Sequence, residues 1–406
     1  MKGVRITLLL ACRNLTRNRR RSLLTIGAIA FALAMLLVFN ALKEGLHQTM
    51  IATATATDIG VVQVHGAGFA ANRVNIAALA DADLVSRTLT GMGITTFARR
   101  LKGTGLILAG PKSAAVLLHG VNSSEESRVT VLHERLVAGA APTAPKEVMI
   151  GQGLARSLGL GLAEPITIMT QDQFGAPATR RFQICGIFHT GVAAFDQGHL
   201  FLTLPGLQDL LDAQGLISEI AISVPMPGHG ELAHRLQQRL GPAYQVEPWE
   251  SIAPDVTQLI ALNDTTMLIL IVIVFLIVGM GIVNTMTTII FERFREFGTI
   301  AALGCTPAGI MGLVTAEALA LGLAASLVGS AVGLTLCLYL ARYGIDLTAF
   351  TSSNQYFSNN HVLKAVLTWR NVASSNGFTL LSALTAGLYP AWSAARQDPA
   401  QALAHL

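Results

Sequence analysis

Charged residues are withheld from four long stretches of this chain and spread normally over the rest. Ser22 to Leu42 lies uncharged between Arg21 and Lys43, and Thr265 to Phe291 lies uncharged between Asp264 and Glu292. From Phe297 to Ala341 the only charge is Glu317, and from Asn371 to Ala395 there is none. Each run reaches the ~20 residues that an α-helix needs to cross a ~30 Å hydrocarbon core. The pattern therefore predicts four transmembrane helices, over 22–42, 265–291, 307–341 and 373–395. The fourth is the most dilute, because Ser374, Ser375, Asn376 and Gly377 stand near its start; its core is Phe378 to Trp392.

Between the first two runs the apolar pattern shortens and becomes strand-like. The segments 59–65, 105–110, 114–121, 165–169, 181–188, 199–203 and 219–224 are β-rich and bounded by Gly, Pro or polar residues. Helical patterns over about 76–91, 151–159, 205–214 and 231–240 interleave with them. The expected fold is a membrane α-helical part of four transmembrane helices plus an α+β extracytoplasmic domain, 43–264. That domain is expected to hold two subdomains, one of about 126–217 inserted into another made from 46–125 and 218–250.

Composition sharpens this. Hydrophobic residues make up 52% of the chain and charged ones 13%, about half the ~25% charge of an ordinary soluble domain. This excludes a soluble enzyme, a disordered tail and a nucleic-acid-binding protein. Lys2, Arg5, Arg13, Arg17, Arg19, Arg20 and Arg21 stand in residues 1–21 with no acid, so the remaining chain sums to −3 within a net charge of +4. Basic residues in short flanks face the cytoplasm. This places the N-terminus, the 292–306 turn and the 396–406 tail there, and puts 43–264 and 342–372 outside. Residues 2–20 fit either an interfacial amphipathic helix or a plain stop-transfer cluster. Leu9-Leu10-Ala11-Cys12 imitates a lipoprotein cleavage box, but the apolar stretch before it is too short for a signal peptide. Of Cys12, Cys185, Cys305 and Cys337 only Cys185 falls outside, so the outer domain holds no internal disulfide.

Catalytic chemistry is sparse. Gly105 to Ser113 imitates a phosphate-binding loop, but Pro111 removes a backbone N–H and displaces Lys112. His65, His119, His133, His189 and His199 show no paired ligand spacing. No catalytic residue, cofactor-binding residue or metal ligand is expected, and the chain is not expected to be an enzyme.

Three stretches together resemble one family, the MacB/LolC/LolE/FtsX-type permeases of ABC transporters. They are the basic approach Arg13-Asn14-Leu15 through Arg19 to Leu24, the turn Phe291 to Gly304 (FERFREFGTIAALG), and Tyr389 to Ala395 with Asp398-Pro399 and Ala402-Leu403. The turn is similar to the family's ER-x-REIG-x-LRALG motif and departs from it at Ala301, where the family usually has a basic residue. With the layout of one helix, a large domain and three helices, the resemblance covers essentially the whole chain and is nearest the lipoprotein-releasing branch.

The resemblance implies that the 292–306 turn forms a helix coupled to a cytoplasmic ABC ATPase. Glu292, Arg293, Arg295, Glu296, Gly298 and Gly304 are its expected coupling residues, with Phe294, Phe297 and Ile300 at a spacing that can grip a partner groove. Two ATPase copies would bind the ATP and magnesium that this chain does not, and a second permease, identical or homologous, completes the assembly in membrane lipid. Gly322, Ser326, Gly329, Ser330 and Gly333 form a small-residue face suited to packing either between subunits or within one. Glu317 fits either a substrate path or the cytoplasmic interface. Residues 171–179 sit where lipoprotein-releasing members carry a hook for a periplasmic carrier, making Gln173, Phe174, Gly175, Arg180 and Arg181 candidate docking residues for a carrier or adaptor. The implied function is ATP-driven release of lipoproteins or other lipophilic substrates from the inner membrane. Efflux of peptides or drugs and FtsX-like signalling to a cell-wall hydrolase are the alternatives.

Overall fold

A computed structural model describes residues 19–69, 78–346 and 362–396. The basic segment 1–18 and the family-like positions Asp398, Pro399, Ala402 and Leu403 lie outside the described residues. The chain begins with α1 (Arg19–Ala54), β1 (Val62–Gly66), α2 (Ala82–Gly91), β2 (Phe97–Ala109), β3 (Lys112–Val121), α3 (Ser123–Glu126), β4 (Leu136–Gly139) and β5 (Glu147–Gly151). Then follow α4 (Gln152–Leu158), β6 (Pro165–Gln171), β7 (Pro177–Phe188), α5 (Ala193–Gly198), β8 (His199–Thr203), α6 (Leu204–Leu210), β9 (Glu219–Ile222), α7 (His229–Leu240), β10 (Tyr244–Pro248) and α8 (Trp249–Ile252). Then come the helices α9 (Pro254–Glu292), α10 (Phe294–Ala302), α11 (Pro307–Tyr343) and α12 (Trp369–Ala395), with a two-stranded ribbon, Ile345–Asp346 and Val362–Leu363, between the last two. Two compact units result, Met1–His47 with Ala261–Ile345 and Leu363–Leu406, and Gln48–Ile260 with Asp346–Val362.

In the helical unit, α1, α9 and α11 are long and apolar enough to cross a membrane. The charges that bound the first two uncharged runs pair with one another: Arg21 with Glu292 at 2.8 Å, and Lys43 with Asp264 at 2.8 Å. α1 and α9 are therefore antiparallel, and Arg21 and Lys43 stand about 33 Å apart at ~1.5 Å per residue. Ile29, Ile282, Met286, Leu321, Ala325 and Ala383 close the apolar core among α1, α9, α11 and α12.

The small-residue face of α11 is spent inside this chain. A Cβ on Gly329 would lie 2.7 Å from the Ala30 carbonyl oxygen, one on Gly333 2.8 Å from Leu37 Cδ1, and one on Gly322 2.6 Å from Ala383 Cβ. Ser330 Oγ donates to Asn376 Oδ1 at 3.0 Å, Ser326 Oγ donates to the same oxygen, and Asn40 Nδ2 donates to Ser375 Oγ at 3.2 Å. The polar residues that dilute the fourth apolar run are thus the ones that tie α12 to α11 and α1. In hydrocarbon such groups must find protein partners, because water is absent.

Among the described residues of the other unit, ten strands form one sheet. Six of them close a ring, β2–β3–β8–β5–β7–β6 and back to β2. Leu101, Ile107, Leu118, Ile150, Ile168 and Leu200 belong to its buried core. β2 has 13 residues and serves two layers. Phe97–Arg100 pair with β9, which continues into β1 and β10, while Gly105–Leu108 pair with β6. The ring takes β2 and β3 from before residue 126, so the segment 126–217 does not close a barrel by itself. The loop imitating a phosphate site is the β2–β3 hairpin: Ala109 pairs with Lys112, and Gly110 turns the chain at φ +59°. Burial pushes the Cys185 thiol up to about 11, leaving it a protonated, inert side chain.

Gly329→Val will force α1 and α11 apart, lowering stability by roughly 1–3 kcal/mol. Gly312→Ala, with open space at its Cβ position, will change little; thermal unfolding of both variants in detergent measures the difference.

Candidate functional site

Among the described residues, three places gather the chemistry-bearing side chains considered below. The first is the α9–α10–α11 turn. Arg293 lies between α9 and α10; its Nε donates to Glu296 Oε2 at 2.7 Å and its Nη1 to Glu317 Oε1 at 3.0 Å. Its guanidinium lies 5.2 Å from the Phe297 ring centroid, within cation–π range. Phe297 is buried with Ile290, Ile310, Val314, Ala391 and Ala394. α10 is therefore braced against α9, α11 and α12, and Phe297 is not free to grip a partner groove. Its spacing fits a helix face, but that face turns inward.

The outward edge carries different residues. Phe291, Arg295, Thr299, Ala302 and Leu303 recur at helical spacing and are exposed, Leu303 by 83%. Gly298 is buried, and Gly304 reverses the chain at φ +93°. Of the six expected coupling residues, Arg295 and Gly304 are surface positions, Arg293 and Glu296 form the brace, and Glu292 meets Arg21. Glu317 is nearly fully buried with Arg293 as its partner, which ties it to this turn. With Pro307 as the start of α11, it stands about 15 Å along that helix at ~1.5 Å per residue.

The second place is the β6–β7 hairpin. Asp172 Oδ1 accepts from the backbone N–H groups of Phe174 (2.9 Å) and Ala176 (2.8 Å), and Gly175 takes φ +85°. Gln173 N donates to the Leu211 carbonyl at 3.0 Å and its side chain to that of Asp212. The tip is short and pinned on one side, while Phe174 projects from it at 78% exposure. Arg180 lies 3.4 Å from Asp209, and Arg181 is exposed on the following strand.

The third was not apparent from sequence. Arg100, 1% exposed, makes a fork with Glu126 (Nε–Oε2 2.9 Å, Nη2–Oε1 2.7 Å), meets Glu219 at 3.1 Å, and donates to the Asp58 carbonyl. Lys102 bridges Glu219 at 3.2 Å and Asp58 Oδ2 at 3.4 Å. Beside them His119 Nε2 meets His199 Nδ1 at 2.9 Å. Burial works against ionisation of Asp58, but Lys102, reinforced by Arg100, outweighs it and holds the carboxyl well below the usual carboxylate range. Burial also keeps His119 and His199 neutral by pushing both below the ordinary histidine value. A cavity of about 310 Å³ opens against Asp58 and His199, with Met50, Thr57, Phe195 and Val256 in its wall. The histidines that look scattered along the chain, 80 residues apart, are brought together by the parallel β3–β8 pairing, where Leu117 faces His199 and His119 faces Phe201.

Comparison with known proteins agrees with this architecture. Residues 22–232 match the MacB-like periplasmic core domain and residues 268–399 the FtsX-like permease C-terminal domain. The chain is 23% identical over 312 residues to the lipoprotein-releasing system transmembrane protein LolC of Xylella fastidiosa, covering 73% of this chain and 75% of that protein. It is 24% identical over 314 residues to LolE of Haemophilus influenzae, covering 74% and 75%. The crystal structure of the periplasmic region of MacB from Actinobacillus actinomycetemcomitans superposes with a TM-score of 0.35 at 13% identity, covering 51% of this chain and 95% of that one. The two domain matches, in the order the fold presents them, place this chain in the family of ABC transporter permeases of the MacB/LolC/LolE/FtsX type.

Proposed function

We propose that this chain is the membrane subunit of an ATP-driven machine that releases lipoproteins, or lipophilic cargo like them, from a bacterial inner membrane. A separate ATPase pair would supply the force. The observation that carries the reading is the turn: a short helix braced by a buried Arg293–Glu317 pair, with an outward edge of Phe291, Arg295, Thr299 and Leu303 left for a partner. A braced helix passes a push into α9 and α11, where a loose loop would absorb it. The basic N-terminal flank favours the cytoplasm for that turn, and the domain match favours the periplasm for the second unit.

In this reading α12 is the fourth membrane helix, held by Asn376 and Ser375. α9 shows a largely exposed apolar surface, including Ile269, Ile273, Leu276, Ile277 and Met280, which suits lipid and a second permease. Phe174 on its pinned tip is the kind of exposed aromatic anchor that interfaces use, and it supports docking of a periplasmic lipoprotein carrier. ATP and magnesium would belong to the partner ATPase.

Arg295→Glu and Leu303→Asp are expected to reduce copurification of the ATPase at least tenfold while leaving the thermal midpoint of this chain unchanged. Retained assembly and coupled hydrolysis would exclude the outward edge as the docking face. Arg293→Gln removes the guanidinium 3.0 Å from the buried Glu317 carboxylate and is expected to cost about 3–5 kcal/mol, read as a lower unfolding midpoint in detergent. Phe174→Ser is expected to lower lipoprotein release from proteoliposomes several-fold without changing ATPase activity; unchanged release would remove the carrier-docking role.

A further inference from the structure

We propose that Asp58, His119 and His199 form a binding site for one divalent transition-metal ion, with zinc the best chemical match. Each residue offers a ligand atom, and the three atoms lie within 4.8 Å of one another. The closest approach that is not a hydrogen bond is His119 Nδ1 to Asp58 Oδ1, at 3.6 Å. That is too long for a hydrogen bond. It is close to the ~3.4 Å that separates two ligands of a tetrahedral ion with arms of about 2.1 Å.

Both of those atoms are buried and have no hydrogen-bond partner. A buried polar atom without a partner costs about 1–3 kcal/mol, and here two of them face each other. His119 is 1% exposed, so water does not reach it as it would a surface ring. Stacking holds the rings, His119 on Phe201 with centroids 4.6 Å apart and His199 on Phe195 at 3.9 Å; a neutral imidazole has one bare nitrogen, so ligation by both rings replaces their Nε2–Nδ1 hydrogen bond.

The neighbouring cations do not fill the role. Lys102 approaches the other oxygen of Asp58, Oδ2, and also serves Glu219. Arg100 is engaged by Glu126, by Glu219 and by the Asp58 carbonyl, and it stands 3.8 Å from Oδ1. Three carboxylates, Asp58, Glu126 and Glu219, thus face two permanent cations, and the surplus is negative. A cation placed at Oδ1 meets that surplus. Two imidazoles and a carboxylate are the donor set that zinc and its neighbours in the first transition row accept. The cavity beside Asp58 and His199 provides access and room for water as a further ligand.

Asp58 lies in the turn Thr55–Ile59 that directly follows α1, His119 in β3, and His199 at the start of β8. An ion held by all three fastens the turn Thr55–Ile59 to β3 and β8 within the second unit. It acts as a structural fastener there, not as a catalytic centre.

The test uses the full chain in detergent, stripped with a chelator and titrated with Zn2+, with Co2+ as a spectroscopic stand-in. The wild type is expected to take up one ion per chain with micromolar or tighter affinity, and to gain thermal midpoint on binding. His199→Ala and His119→Gln are expected to weaken uptake at least tenfold and remove the midpoint gain. His199→Cys is expected to retain uptake and add a thiolate-to-Co2+ charge-transfer band, which only ligation at residue 199 produces. Circular dichroism verifies that each variant is folded; if His199→Ala is not, the Cys band and His119→Gln decide. Uptake only at millimolar ion, equal affinity in the wild type and both ligand-deleted variants, or no thiolate band in His199→Cys overturns the site.

Discussion

The helical unit is framed by the exclusion of charge from its apolar band, with two ion pairs, Arg21–Glu292 and Lys43–Asp264, set one at each end of the α1–α9 pair. A charge inside hydrocarbon is expensive, by roughly 3 kcal/mol on insertion scales. The charges therefore gather at the boundaries of the uncharged runs, where each finds an opposite partner. The pairs mark the two ends of the antiparallel α1–α9 packing and the height of the apolar band between them. Close approach of the other helices follows: with α1 in place, Gly329 and Gly333 let α11 approach it at backbone distance, and Gly322 does the same for α12. The small-residue face is consumed within the subunit.

The same constraint governs the polar groups left inside. Asn376 accepts from Ser326 and Ser330, Asn40 donates to Ser375, and Glu317 is met by Arg293. Each would be a liability alone and is a fastening when paired. At the turn, the fastening gives α10 its mechanical character. Arg293, between α9 and α10, reaches Glu296 on α10 and Glu317 on α11 at once, while Phe297 fills the space among α9, α11 and α12. A displacement of α10 must then be shared by its neighbours.

In the second unit the paired charges sit within a β-sheet. Arg100 and Lys102 stand on β2, with Glu219 on β9 and Glu126 on α3 as their partners. Arg100 lies at the position where β2 leaves the β9 pairing, and it reaches the Asp58 carbonyl just beyond α1. The buried network thus joins the two layers that β2 serves and holds the end of α1 beside them. Its imbalance of charge, and the unpartnered faces of Asp58 and His119, follow from packing three carboxylates around two cations.

Much of this was legible in the residues. The three long apolar helices, the strands at 165–169, 181–188 and 199–203, and the helix at 231–240 all appear near where periodicity puts them, because each buries one regular apolar stripe or run. The family-like turn motif was legible too. The first half of β2, FARRLK, was not, since three cations in six residues read as surface until their partners on β9 and α3 are known. The ring closure that pulls β2 and β3 into the barrel was equally hidden, as were the inward turn of Phe297 and the meeting of Asp58, His119 and His199. Local patterning alone determined where this chain can enter a membrane and where it cannot, because hydrocarbon excludes unpaired charge whatever the fold. Only the tertiary structure decided which charges are neutralised and by whom, because an ion pair or a ligand set is a property of distance in space, and partners such as Arg293–Glu317 and Arg21–Glu292 lie 24 and 271 residues apart.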